Sequence, residues 1–502
     1  MHGAMIRTGA ALSALAMILV ACGQHPGVHV EGDPAAGGTQ QTDDGMGGEV
    51  ASAPTDDTGL DDGDGAEVSD PDAATTDDDT ATTTTDDGSG NGRTTDDGNG
   101  GGRGGGDGNG GGDGGGDGGD AESQGQIEPQ GSDRTGVDDD TIRFATHAPV
   151  TGAAPLPSES FQQSADLYWR WLFDEKGETV LGRTNIEQEF ADDRYEPATA
   201  RQVCRELASR NFVLYGGGGT DQIQACGQLA AQLQVPYFSP GVTEAGLTDN
   251  PWYFAASMTY RQQGELLAEY VASEFPGKAV GAILTQTPNF DDAVAGWEAG
   301  VSAVGLDDRG TLRHPRGQTG WYADMANELA SRGVEVLYIL TSPLDYIRFA
   351  QVANDQGHDF QYVGVGISMG LNAVLGSGCP EVDGGRFFSP FPALETADDI
   401  DPEFNRAADK FGTPNDDIAW AIWGSSANMH RLLERYGERF GNDLTREDFR
   451  ALVEGTDQVE GGVFPPVNYT PDNHFGGQGV HVLRADCGVE EYLDDGTFKT
   501  GF

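Results

Sequence analysis

Phe212-Val213-Leu214-Tyr215-Gly216-Gly217-Gly218-Gly219-Thr220-Asp221 holds an apolar β-rich run, a glycine turn and the start of a helix. An amphipathic stretch over 221–233 follows, then a second β-rich run at 235–238. The same alternation extends upstream. Strands are predicted at 141–146 and 186–190, with helices at 159–176 and 196–210, the latter placing Ala200, Val203, Cys204 and Leu207 at helical spacing. A βαβαβαβ order implies a parallel sheet covered by helices on both faces. The rhythm restarts after 278, with strands at 279–284, 334–340 and 362–365 and helices at 291–304, 322–331 and 344–355. Two doubly wound α/β units without a long linker predict two lobes facing a cleft, and open α/β sheets bind ligands at the carboxyl ends of their strands.

The glycine turn has two readings. Glycines let the backbone approach a ligand, and free N–H groups at the helix start attract an anion, so 216–221 is either a carboxylate cradle or a tight strand-to-helix turn. Thr220 is placed to cap the helix. No Gly-x-x-x-x-Gly-Lys-[Ser/Thr] occurs, which excludes a P-loop, and the first strand is not followed by Gly-x-Gly-x-x-Gly. Neither His-Glu-x-x-His nor Gly-x-Ser-x-Gly is present, and the nine histidines are scattered. Nothing in the motifs points to an enzyme, and no cofactor or metal is expected.

Net charge is −53 over 502 residues. About 27 acidic residues and four arginines precede Gly136, leaving about −30 on the remainder. An acidic body argues against nucleic acid, which needs a basic footprint, and against docking on anionic headgroups. From 31 to 135 the chain is mostly Asp, Gly and Thr, too poor in apolar residues to offset chain entropy, so residues 22–135 are expected to be a disordered leash. The folded body is expected to span 136–502.

At the amino terminus, Arg7 and a short apolar run lead to Leu19-Val20-Ala21-Cys22. The run is about 12 residues, too short to span a bilayer. It resembles a bacterial lipoprotein signal, which implies cleavage after residue 21, a lipid on Cys22 and residence on the extracytoplasmic face of the cell membrane. Four cysteines remain, Cys204, Cys226, Cys379 and Cys487. An even number in an oxidising compartment suggests two disulfides, and four cysteines allow three pairings.

Several stretches together carry a wider resemblance. They are Ala148-Pro149-Val150-Thr151-Gly152 after the first strand, Val235 through Thr243, Gln263-Gly264, and Phe464 through Tyr469 followed by Asn473-His474-Phe475-Gly476. In this order the body from about 140 to 484 resembles the type 1 periplasmic solute-binding proteins, the leucine/isoleucine/valine-binding class of ABC importers.

The resemblance implies two lobes with three crossovers, the first over about 140–262 and 389–463, the second over about 263–388 and 464–502. It implies a ligand set of Gly219 and Thr220 toward a carboxylate, Gly241 and Thr243 in a second polar turn, Phe290 as an aromatic cover and Asp345 toward an ammonium. It also implies pairing Cys204 with Cys226 and Cys379 with Cys487. The chain departs from the family's pattern at Ala154-Pro155-Leu156-Pro157, at Tyr260-Arg261-Gln262 and in having Phe at 290. The function implied is a monomeric, lipid-anchored receptor that closes on a small solute, by default a branched-chain-like amino acid or related amide, and delivers it to an ABC permease. The alternative is a sensor that uses the same trap to signal to a membrane partner.

Overall fold

The computed structural model describes residues 126–499. The expected signal, Cys22 and most of the leash lie outside the described residues. The first lobe is built on a five-stranded parallel sheet of β1 (Thr141–Ala148), β2 (Asn185–Asp192), β3 (Val213–Gly216), β4 (Tyr237–Ser239) and β5 (Tyr253–Ala255), in the order β2-β1-β3-β4-β5. Alternation along these short strands decides which layer each side chain joins. Val213, Phe238 and Phe254 meet Met429, Leu432 and Leu433 of the long helix Asp417–Phe440 on one face. Leu214, Tyr237 and Tyr253 meet Cys204, Ile223 and Cys226 on the other.

The second sheet contains β6 (Ala279–Gln286), β7 (Asp307–Pro315), β8 (Val336–Leu340), β9 (Gln361–Gly364), β10 (Arg386–Ser389), β11 (Gly479–Asp486) and β12 (Glu491–Lys499). Its order is β12-β11-β10-β9-β8-β6-β7, and only β11 runs opposite to the rest, so that the β10–β11 and β11–β12 pairs are antiparallel. Val280, Ala282 and Leu284 face Trp297 and Leu266, while Ile283 faces Tyr346 and Phe349. In both sheets the first strand in chain order is flanked by the next two, β1 by β2 and β3, β6 by β7 and β8. The order therefore reverses beside β1 and beside β6, and the crevice at each reversal opens at the carboxyl ends of the strands.

The chain changes sheet after β5, after β10 and again before β11. At the first change the helix Tyr260–Glu274 packs closely on Asp291–Val304: a Cβ on Gly296 would stand 2.1 Å from the Arg261 carbonyl oxygen, so only glycine fits. Before the last change, residues 456–477 stay with the first lobe, Phe475 bridging to Ala255 and the Ala255 N–H donating to the His474 carbonyl at 2.9 Å.

The sequence reading differs from the structure in two instructive places. The single helix expected over 159–176 is broken into Ser158–Gln163, Leu167–Arg170 and a π-helical turn at Trp171–Glu175. Strand β7 was not expected at all, because it is the edge of its sheet and carries Asp307, Asp308 and Arg309 in place of an apolar run. Cys204 is bonded to Cys226, Cα atoms 5.9 Å apart, and Cys379 to Cys487, 5.6 Å apart. Among the described residues no helix is long and apolar enough to cross a membrane.

Candidate ligand-binding cleft

A cavity lies where the two strand-order reversals face each other. It leaves about 200 Å³ open to the centre of a water-sized sphere. Its first-lobe wall is the turn Gly216 through Thr220, the end of β4 with Ser239 to Val242, and the apolar first loop through Pro149, Ala154 and Leu156. Its second-lobe wall is Phe290, Leu340 to Pro343, Val365 and Gly366.

The glycine turn follows from its surroundings. Gly217 donates its N–H to the His147 carbonyl at 2.7 Å, continuing the β1–β3 ladder, and a Cβ there would meet Phe161 at 2.6 Å. Gly219 has φ +76° and precedes the helix Thr220–Leu233, whose first N–H groups have no side-chain cap. Beneath the turn, His147 is fully buried between Asp193, 2.8 Å from Nδ1, and the Tyr237 hydroxyl, 2.7 Å from Nε2. That histidine braces the strand ends. It also lies near the sulfurs of Cys204 and Cys226, but these are bonded to each other and offer no thiolate to a metal.

Across the mouth, the Thr220 and Tyr260 hydroxyls stand 3.3 Å apart, and the Tyr260 ring packs on Phe290 with centroids at 5.7 Å. Burial pushes the Tyr260 phenol up to about 12, and the bond to Thr220 only partly offsets this, so it stays protonated at neutral pH. Further contacts join the lobes outside the cavity. Asn289 Nδ2 donates to Gln224 Oε1 at 2.7 Å, and Arg316 pairs with Asp221 while its guanidinium lies 4.5 Å over the Tyr195 ring.

Of the six ligand residues the resemblance implied, Gly219, Thr220, Gly241 and Phe290 line the cavity. Gly241 has a further reason to be glycine, since a Cβ would stand 2.0 Å from the Met258 carbonyl oxygen at the crossover. Thr243 does not line it, and its hydroxyl donates to Asp292 at 2.6 Å. Asp345 does not line it either; its carboxylate accepts from the Tyr322 hydroxyl at 2.7 Å and the Ser342 hydroxyl at 2.8 Å at the start of its own helix. Among the described residues no Asp, Glu, Lys, Arg or His lines the cavity. Tyr260 and the inner face of the helix Asp417–Phe440 are wall elements that sequence reasoning passed over. The signal for the helix was small residues, Ala421, Ser425 and Ser426, recurring on a face that is otherwise apolar.

Residues 141–494 match the periplasmic binding protein family. The chain belongs to that family. Solved structures of similar fold are ABC-transporter solute-binding proteins. A fatty acid substrate-binding protein from Thermomonospora curvata is 18% identical with TM-score 0.63, covering 74% of this chain and 95% of its own. A branched-chain amino acid transporter component from Thermus thermophilus with bound valine is 17% identical with TM-score 0.59, covering 73% and 98%. A solute-binding protein from R. palustris in complex with 4-hydroxybenzoate is 18% identical with TM-score 0.59, covering 72% and 97%. No curated protein sequence matches the chain. Family and neighbours alike are solute binders, and this binding protein shares with them the two-lobed fold.

Proposed function

We propose that this binding protein is the lipid-anchored, extracytoplasmic receptor of an ABC importer, a monomer that traps a small solute between its lobes and presents the closed form to a membrane permease. The observation that carries the reading is the uncharged cavity walled by both lobes at the carboxyl ends of their strands. A solute touching both walls stabilises the closed form by its differential affinity for it, and no chemical step is required.

The lining also bears on the solute. A zwitterionic amino acid needs a partner for its ammonium, and Asp345, the carboxylate expected for that role, is engaged elsewhere. The N–H groups at the helix start by Gly219 and Thr220, which no side chain caps, suit a carboxylate, and the largely apolar remaining wall suits an apolar body. The solute favoured is therefore a monocarboxylate with an uncharged body, in place of the branched-chain amino acid taken as the default. The structural neighbours named above include proteins titled for a fatty acid and for an aromatic acid. Cys22 holds the receptor to the membrane through its lipid.

The test is thermal denaturation of the mature protein with amino acids, aromatic acids and aliphatic acids. A ligand at 100 times its Kd adds about 2.7 kcal/mol. Stabilisation by a monocarboxylate, weakened in Thr220→Val, is the expected result. A panel in which no solute stabilises the protein would end the receptor reading. For the anchor, palmitate labelling of whole cells should mark the wild type and fail to mark Cys22→Ser.

A further inference from the structure

The first sheet gives the cavity more than the ends of its strands. Thr146, Gln188 and Tyr215 also line it. Thr146 of β1 stands in register with Tyr215 of β3, and Gln188 of β2 with Phe144, two residues before Thr146. Alternation therefore puts all three side chains on the face that the helix Asp417–Phe440 covers, where Phe144 and Phe238 meet Met429 and Leu432. Over the three polar residues the covering is incomplete. β1 and β3 have strands on both sides, yet Thr146 and Tyr215 are only half-buried. Ala165, Ala421, Ile422 and Ser425 line the cavity from the helical layer and are half-buried as well. Two layers that closed on each other would leave neither side accessible.

None of the three polar side chains is hydrogen-bonded to another described residue. Elsewhere on the wall the Ser239 hydroxyl bonds that of Tyr253 at 2.8 Å, and the Ser342 hydroxyl donates to Asp345. Thr146, Gln188 and Tyr215 can each donate and accept, and none is charged. Burial pushes the Tyr215 phenol well above its ordinary range, so it keeps its proton and stays a donor.

We infer that Thr146, Gln188 and Tyr215 form a specificity subsite for an uncharged amide, so that the solute is an acid–amide with its carboxylate at the Gly216–Thr220 turn and its carboxamide on the sheet face. The inference rests on the receptor reading and adds the far end of the solute to it. A carboxamide presents a carbonyl acceptor and N–H donors. The Gln188 side chain, itself a carboxamide, can meet these with a reciprocal pair of bonds, and the two hydroxyls can take what remains. A second carboxylate or an ammonium would enter a space where no described residue carries a compensating charge. An alkyl end would displace water from three polar groups and return no hydrogen bond to them.

The experiment is calorimetric titration of the full mature chain with monoamides of straight-chain dicarboxylic acids of increasing length. Each is run beside its diacid, the matching alkanoate and the matching terminal hydroxy acid, on wild type, Gln188→Met and Tyr215→Phe. The best monoamide should bind wild type about tenfold or more tightly than its alkanoate and its diacid. Each substitution should lower that ratio severalfold while leaving the melting of the free protein unchanged, because neither side chain has a hydrogen bond within the protein to lose. Two variants cover the case in which one fails to fold. Alkanoates, diacids or hydroxy acids that bind as tightly as the monoamides overturn the inference while the receptor reading stands. A wild-type ratio in both folded variants overturns it in the same way, as does binding of some other solute of the wider panel with none of these acids. If nothing binds at all, both readings fall together.

Discussion

Asp417 Oδ2 accepts a hydrogen bond from the backbone N–H of Asn372 at 2.5 Å, linking the first turn of a first-lobe helix to the start of the helix Asn372–Gly378 beside the second sheet. Burial raises the Asp417 carboxyl from 3.8 to about 6, and the charge of Asp416 adds to the shift while the Asn372 N–H opposes it. A carboxyl whose pKa is higher folded than unfolded gives stability that is fully present below about pH 4 and is lost as pH rises through about 6. Asp417→Asn removes that titration. Relative to wild type, the variant should therefore gain stability between pH 4.5 and 7, by about 1–3 kcal/mol. Paired melting curves across this range check the difference, and an offset that is constant with pH would contradict it.

The Arg316 clasp connects the lobes outside the cavity, through Asp221 and the face of Tyr195. It forms only when the lobes are together, so its loss should penalise the closed form. Arg316→Ala is expected to weaken solute binding about tenfold, equivalent to about 1.4 kcal/mol, with little change in melting of the free protein. Calorimetry reads the first quantity and scanning fluorimetry the second. Unchanged affinity would mean that the clasp contributes nothing to closure.

Tyr237 supplies the partner of His147 Nε2, and the rings also stack with centroids 5.8 Å apart. Tyr237→Phe keeps the packing and leaves a fully buried imidazole nitrogen without its bond. The cost should be about 1–3 kcal/mol, measured by urea unfolding. His147→Phe in the Tyr237→Phe background should cost less than the two changes added separately, because the groups act as one unit.

The two disulfides close loops of different size, separated by 22 residues for Cys204–Cys226 and 108 for Cys379–Cys487. In the chain-entropy account the longer loop stabilises more, about 4–5 kcal/mol against about 3. Replacing Cys379 and Cys487 by serine should therefore lower the unfolding midpoint further than replacing Cys204 and Cys226. The reverse order in denaturant titrations would show that local packing, in place of chain entropy, dominates here.

The alternation of β-rich runs and amphipathic stretches was enough to determine a two-lobed α/β body, because buried parallel strands and their covering helices impose different periods on the chain. The glycine turn at 216–219 and its place at a strand end were legible for the same local reason: a sharp turn against Phe161 and Ala148 admits no side chain. Edge strand β7 escaped because a half-exposed strand needs no apolar run. What the cleft contains was decided by tertiary structure alone. Thr243 and Asp345 stand at positions where the resemblance implied ligand contacts, yet the groups they bond, Asp292 and Tyr322, come from segments 49 and 23 residues away. The wall that Ala421, Ile422 and Ser425 give the cavity likewise exists only because a helix from residues 417–440 lies over strands some two hundred residues earlier in the chain. Local sequence sets the period and the turns, whereas the direction of a side chain into a cavity depends on which distant surface folds against it.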